Sequence, residues 1–222
     1  MLRACAAFLL LSSICAGIPY QTQAQASRDR IAESAQWRVG GFIGLARSSP
    51  VSSLLGVTPG RDHYFIGLQA LTEVLRAGPL TLSYGAQLLP VVAITGRTPP
   101  EGYRGLTRPD GRLPGPDVAY AFGVVPFGLE VGVHPFRSIV VYGASAAGGL
   151  VFRRPFPVPE ASRINFTLEY GGGLLILVGR GRWIQLGYKY HHLSNAYTAR
   201  MNPGLDGHVF YVGYQVSIRL PR

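Results

Sequence analysis

Segments in which apolar and polar residues alternate with a period of two constrain the fold of this chain more than any other feature. Eight such segments occur, at about 37–47, 62–75, 79–94, 117–133, 138–152, 163–178, 183–194 and 208–220. Alternation of this kind is typical of β-strands that have one apolar and one polar face. After residue 26 no stretch of 18 consecutive apolar residues occurs, so the sequence predicts no membrane-spanning helix.

The N-terminal residues are typical of a secretory signal peptide. A positively charged start, Met1-Leu2-Arg3, precedes a short apolar run and the small-residue site Ala24-Gln25-Ala26. We therefore predict a signal peptide at 1–26 and a single mature domain at 27–222. Both cysteines lie within the predicted signal peptide, so we expect neither a disulfide nor a cysteine metal site in the mature protein.

Composition indicates which kind of all-β domain the strands form. Charged residues make up only 14% of the chain, aromatic residues 11%, and there are 29 glycines, whereas soluble domains carry about 25% charge. An exported chain with these properties and an even number of strands is expected to be an eight-stranded antiparallel transmembrane β-barrel of the bacterial outer membrane.

The lengths of the connections predict the orientation of this barrel. The connections near 76–78, 134–137 and 179–182 are short, whereas those at about 48–61, 95–116, 153–162 and 195–207 are long and rich in Pro, Gly and Arg. Short turns belong in the periplasm and long loops outside. The net charge of +10 then favours lipid phosphates as partners, and nucleic acid is not expected.

Two polar residues, His192 and Ser194, end the seventh segment on its apolar side. This side should face lipid and consists of Ile184, Leu186, Tyr188 and Tyr190. On the eighth segment the same parity extends backwards to Asp206, across one hairpin. Residues two apart on a strand share a face at about 6.5 to 7 Å, and neighbouring strands lie about 4.8 Å apart. The three residues are thus predicted to meet near the external boundary of the membrane.

The combination of residues suggests ester or amide hydrolysis. A serine hydrolase needs a nucleophile, a base, an acid that orients the base, and donors for the oxyanion, for which Asn195 is a candidate. The simpler interpretation is a set of polar rim residues where a strand leaves the membrane.

The adjacent histidines 191 and 192 point to opposite faces, so we expect no metal site, and nothing indicates a cofactor. Glu169 and Glu73 have inward parity and are expected to pair with Lys189 or with arginines.

Three stretches in the C-terminal half resemble a known family. They are His192-Leu193-Ser194-Asn195-Ala196, Asn202-Pro203-Gly204-Leu205-Asp206 and Glu169-Tyr170-Gly171-Gly172-Gly173. Over about residues 163–220 the chain is similar to the PagL-type lipid A 3-O-deacylases of Gram-negative outer membranes. The N-terminal half agrees in length, strand count and export signal.

The resemblance implies a function and a set of residue roles. It implies an eight-stranded barrel with its active site on the outer wall, which removes the ester-linked acyl chain at position 3 of lipid A. Ser194 would be the nucleophile, His192 the general base and Asp206 the orienting acid. Asn195, with nearby backbone amides, would form the oxyanion hole, and Tyr170 would occupy an aromatic position near the site.

Two positions depart from the family pattern. The best-known members have glutamate where this chain has Asp206, and a small residue often follows the Ser-Asn-Ala segment, where this chain has Tyr197. The departures leave the exact substrate open. The alternatives to a lipid A deacylase are a non-catalytic structural or ligand-binding barrel, or a phospholipase or acyltransferase that uses the same residues. The expected partner is lipid A in the outer leaflet, and the sequence leaves a homodimer possible.

Overall fold

The computed structural model describes residues 36–50, 55, 56, 58, 60–96 and 118–219. The predicted signal peptide lies outside these described residues, as do the arginines between 97 and 117. The described residues contain eight strands: β1 Gln36–Ala46, β2 Asp62–Ala77, β3 Leu80–Thr95, β4 Val118–Phe136, β5 Ile139–Phe152, β6 Ile164–Gly179, β7 Arg182–Ser194 and β8 Leu205–Arg219.

These strands form a closed antiparallel barrel, which confirms the predicted fold. Each strand pairs with the next along the chain, and β1 pairs with β8 from Gln36↔Arg219 to Leu45↔Phe210. Closure matters because a sheet in lipid has to satisfy all its backbone hydrogen bonds internally. In the described part of the chain there is no helix that is long and apolar enough to cross a membrane.

Strand boundaries differ from the prediction by three residues in two places and by at most two residues elsewhere. The predicted strand began at residue 208, but β8 begins at Leu205, because Leu205 and Asp206 still pair with Leu193 and His192. At the other end of the barrel, β4 extends to Phe136, where it pairs with Ile139 across a tight turn. The first difference is functionally relevant, since it places Asp206 within a strand and not in a mobile connection.

The inside of the barrel differs between its two ends. The end that carries the long loops is filled by apolar side chains, among them Phe65, Leu89, Leu150, Phe152 and Leu193. Nearer the short turns the interior is polar: the Arg38 guanidinium pairs with Glu130, and the Tyr142 and Tyr211 hydroxyls lie 2.7 Å apart. The packed outer half gives the strands that carry His192 and Asp206 a rigid support.

The outward side of the strands forms the apolar surface expected of a membrane barrel. Large apolar side chains are exposed on it all the way round, including Ile43 on β1, Leu68 on β2, Phe127 on β4, Ile164 on β6 and Phe210 on β8. A soluble protein rarely exposes a continuous apolar surface of this extent. The barrel therefore spans the outer membrane with this surface against lipid.

Candidate active site

The candidate site lies on the outer wall, where β7 and β8 approach their connecting loop. His192 and Asp206 are direct cross-strand partners in the β7–β8 ladder, and Ser194 pairs with Phe166 on β6. Directly paired residues of antiparallel strands have their Cβ atoms about 4.5 to 5.5 Å apart. The register therefore places the imidazole and the carboxylate in contact without the help of a loop.

The imidazole of His192 contacts the carboxylate of Asp206 directly. The Nδ1 atom of His192 lies 2.6 Å from Oδ1 of Asp206. The carboxylate is almost completely buried, with 1% of its side chain exposed, whereas 13% of the His192 side chain is exposed. A hydrogen bond at Nδ1 selects the tautomer whose Nε2 can accept a proton. With Nδ1 directed at Asp206, Nε2 of His192 is the nitrogen left to accept a proton.

The hydroxyl of Ser194 is partly accessible on the same outward face. Within the described residues it makes no hydrogen bond to His192. In hydrolases this contact is often long in the free enzyme and shortens when substrate binds. The structure therefore brings a serine, a histidine and an aspartate to one face, with the aspartate–histidine contact already formed.

Additional donors hold the second oxygen of Asp206. Oδ2 accepts hydrogen bonds from the backbone amides of Leu55, at 3.2 Å, and Gly56, at 2.6 Å, and from the hydroxyl of Tyr190. Leu55 and Gly56 belong to the loop between β1 and β2, which lies about 150 residues away in sequence. These donors compensate for the burial of the charge.

Sequence reasoning did not find these three donors. It placed Tyr190 in the lipid-facing apolar set, and the outward parity is right, yet the residue is only 4% exposed. The centroid of its ring lies 4.8 Å from that of Tyr170, with the two rings tilted by 31°, and 5.7 Å from that of His208. Neither the tyrosine hydroxyl nor a backbone amide in a distant loop leaves a signal in a period-two pattern.

The inward-facing neighbours have a different role. His191 is fully buried inside the barrel, opposite in direction to His192. Lys189 Nζ lies 2.8 Å from Glu169 Oε2 in a buried ion pair, as the parity predicted. Glu73 pairs with an arginine, Arg76 on its own strand, at a partly exposed position. The two faces of β7 therefore separate the candidate chemistry from interior packing.

Comparison with known proteins agrees with this geometry. The family model described as "Lipid A 3-O-deacylase (PagL)" matches residues 138–215, which run from β5 into β8 and include all three candidate residues. The match covers about a third of the chain and relates the C-terminal part of the barrel to that family. The activity that the family description names is hydrolysis of a carboxylic ester. A search of curated proteins found no match.

One solved structure supports the same fold, and two others are similar to this chain at TM-scores below 0.5. The crystal structure of the outer membrane enzyme PagL superposes with a TM-score of 0.54 at 14% sequence identity, covering 82% of this chain and 99% of that chain. Neisserial surface protein A gives a TM-score of 0.49 at 11% identity, covering 84% of this chain and 100% of the other. The outer membrane protein OprG from Pseudomonas aeruginosa gives 0.48 at 11% identity, covering 84% and 97%.

Of the two positions that depart from the PagL-type pattern, Asp206 reaches its partner. Although it is one methylene shorter than glutamate, its direct pairing with His192 in the ladder brings Oδ1 to within 2.6 Å of Nδ1. The neighbouring Gly204, with φ of 41°, passes close to the imidazole: a Cβ there would lie 3.4 Å from Cε1 of His192. The local backbone thus fits the shorter acid.

Tyr197, the second departure, points away from the site. Ala196 and Tyr197 have φ values of 50° and 60°, and the carbonyl of Asn195 accepts a hydrogen bond from the amide of Thr198 at 3.0 Å. Positive φ at both central residues of a β-turn favours glycine, which explains a preference for a small residue at this position. The side chain of Tyr197 is 83% exposed, so it does not close the site.

Asn195 stabilises the β7–β8 loop through two hydrogen bonds. Its side-chain nitrogen donates to the carbonyl of Met201 at 2.6 Å, its backbone amide donates to Oδ1 of Asn202 at 2.8 Å, and the residue is 1% exposed. A second side-chain N–H is left for an oxyanion, so its predicted role as a donor stays a prediction. Tyr170, the other predicted substrate-contacting residue, lies on the outward face and is 42% exposed.

Proposed function

We propose that this barrel removes the 3-O-linked acyl chain of lipid A, with Ser194 as nucleophile, His192 as general base and Asp206 as the orienting acid. One observation carries the proposal: the buried Asp206 carboxylate is bonded to Nδ1 of His192 on the outer wall, with Ser194 two residues further along the same face. A polar rim without catalytic function would not require a buried carboxylate behind an accessible imidazole.

The chemistry follows the logic of serine hydrolases. Ser194 Oγ attacks the ester carbonyl carbon while Nε2 of His192 takes the hydroxyl proton, and Asp206 stabilises the imidazolium that forms. The tetrahedral intermediate then breaks its bond to the sugar oxygen, which leaves with the proton from His192. Water, activated by the same imidazole, hydrolyses the acyl-enzyme and releases the fatty acid.

The position of the site suits a substrate that stays in the membrane. On β6, beside Ser194, the exposed side chains of Ile164, Phe166 and Leu168 form an apolar surface along which an acyl chain can lie. The ester of lipid A lies between its acyl chains and its sugar, at the depth of the rim. Exposed arginines at 153, 154 and 200 in the outer loops are suited to its phosphates.

The proposal needs only one chain. His192, Ser194 and Asp206 all come from one hairpin, and the donors to Asp206 come from the same barrel. We therefore assign no catalytic role to a homodimer.

Expression in a host with fully acylated lipid A provides the test. We expect the mass of lipid A to fall by one 3-hydroxyacyl chain, and Ser194→Ala to abolish the change, since no other group in the triad can form the acyl-enzyme. Mass spectrometry of extracted lipid A measures the result. The variant should still form a folded barrel in outer-membrane fractions, which separates lost chemistry from lost assembly.

Two results would contradict the proposal. Unchanged lipid A across hosts with different lipid A types, with the wild-type barrel folded, would show that it is not a deacylase. Release of fatty acid from phospholipid in mixed vesicles, with lipid A intact and the release dependent on Ser194, would assign the triad to a phospholipase instead.

A further inference from the structure

The two oxygens of Asp206 have separate partners. Oδ1 faces Nδ1 of His192, whereas Oδ2 receives the hydroxyl of Tyr190 and the amides of Leu55 and Gly56. A carboxylate that is held at one oxygen only can rotate about its Cβ–Cγ bond. Donors at Oδ2 fix this rotation and keep Oδ1 directed at the imidazole.

We propose that Tyr190 and the Leu55–Gly56 segment are positioning elements of the esterase, which act on Ser194 only through Asp206 and His192. This inference rests on the proposed function and adds residues outside the Ser-His-Asp set to its machinery. It also assigns the loop between β1 and β2, in the half of the chain that the family model does not match, a part in the chemistry of β7 and β8.

The β1–β2 loop is built to approach Asp206 closely. A Cβ on Gly56 would lie 2.8 Å from Cγ and 2.9 Å from Oδ1 of Asp206, so only glycine fits there. Nearby, Thr58 connects this loop to the end of the β7–β8 loop: its amide donates to the carbonyl of Gly204 at 3.2 Å, and its hydroxyl donates to the carbonyl of Pro203 at 2.8 Å. The loop thus docks beside the carboxylate through backbone contacts.

Tyr190 differs from the other tyrosine on its side of β7. Tyr188 has the same parity two residues away, but its hydroxyl lies 2.6 Å from Nδ1 of His208. Tyr188 is also partly exposed, whereas Tyr190 is buried. Tyr188→Phe is therefore a matched control for Tyr190→Phe: the same atom is removed from the same strand and face.

The first experiment compares these two variants in purified, lipid-reconstituted protein. Tyr190→Phe should lower kcat for lipid A deacylation about tenfold, because the Asp206 carboxylate loses a charge-assisted hydrogen bond. KM should stay within about twofold, since the hydroxyl does not face the substrate. Tyr188→Phe should leave both constants near wild type.

A double-mutant cycle tests whether Tyr190 acts through Asp206. Asp206→Asn alone gives the reference value of kcat. When Tyr190→Phe is added to Asp206→Asn, kcat should fall no further. A tenfold loss that persists in that background would mean that the hydroxyl acts elsewhere, and the inference would be wrong. The rate at which a fluorophosphonate labels Ser194 provides a second readout and should fall in the same order as kcat.

The second experiment displaces the loop. Gly56→Ala places a methyl group against the carboxylate and should lower kcat about 100-fold, the effect of moving a catalytic group by about 1 Å. Gly143→Ala is the control, because its Cβ would have its nearest neighbour at 3.9 Å. Both variants should unfold at urea concentrations close to wild type, which would rule out a general loss of structure.

The failures of the two proposals can be told apart. If wild-type protein neither deacylates lipid A nor reacts with the phosphonate at Ser194, the proposed function is wrong. If wild type is active but Tyr190→Phe and Gly56→Ala match it in kcat, only the positioning role is wrong. Equal losses in kcat for Tyr190→Phe and Tyr188→Phe would also overturn it.

Discussion

The two faces of β7 carry similar polar residues but use them differently. On the outward face, His192 is oriented by a carboxylate that several donors hold. On the inward face, the ring of His191 packs edge-on against Phe65 and His63, and its nitrogens make no hydrogen bond within the described residues. A buried carboxylate is near each histidine, but only the outward one is in contact with its imidazole.

The distances explain this difference. His192 Nδ1 lies 2.6 Å from Asp206, whereas His191 Nε2 lies 3.8 Å from Glu169, whose other oxygen is bonded to Lys189. Inside the barrel Lys189 neutralises the carboxylate of Glu169, and His191 fills space in the packed interior. Outside, the Asp206 carboxylate contacts the imidazole of His192, which becomes cationic during reaction in the proposed mechanism. Adjacent residues of the strand thus separate interior packing from the proposed catalysis.

The largest expected effect comes from substituting each of these two adjacent histidines separately. His192→Gln should reduce deacylation by about 1000-fold or more, because the general base and its link to Asp206 are lost. His191→Gln should leave the rate per folded molecule within about threefold. Lipid A mass spectrometry over a time course measures both. Comparable losses in the two variants would show that the faces are not functionally separate.

The next effect is on stability and concerns the inward face. Lys189→Met leaves the 3%-exposed side chain of Glu169 without its cation and should lower the free energy of unfolding by about 3 to 5 kcal/mol. Urea titration in lipid vesicles measures this loss. The double variant Lys189→Met/Glu169→Gln removes both charges and should recover most of it. Activity per folded molecule should change little, whereas a deacylation defect as large as that of His192→Gln would contradict the comparison.

The contrast between the faces could largely be predicted from the sequence, because strand parity needs no tertiary information. The outward set through His192 and Ser194, the inward position of Lys189, and the meeting of His192 with Asp206 all follow from a period of two and one hairpin. The pairing of Glu169 with Lys189 follows from the same parity.

The support of Asp206 could not be predicted in this way. Leu55 and Gly56 reach it through backbone amides from a loop that is distant in sequence, and their side chains carry no sign of that role. Tyr190 was expected to face lipid because its parity places it in the outward apolar set, yet its neighbours and the carboxylate cover it. Contacts made by the backbone, or set by the folded path of a loop, leave no periodic pattern.

The smallest of the three effects concerns only the outward face and compares the cost of a charge at two depths in the membrane. Leu186→Arg puts a charge near the middle of the apolar band and should cost about 2 to 4 kcal/mol, whereas Ile164→Arg, at the outer end of β6, should cost about 0 to 1 kcal/mol. Urea unfolding in vesicles gives both values. The same gradient explains why an ionisable histidine and aspartate are tolerated at residues 192 and 206. Equal costs at the two depths would mean that the rim lies as deep in lipid as Leu186, and the site would then be too deep to reach the sugar end of a lipid.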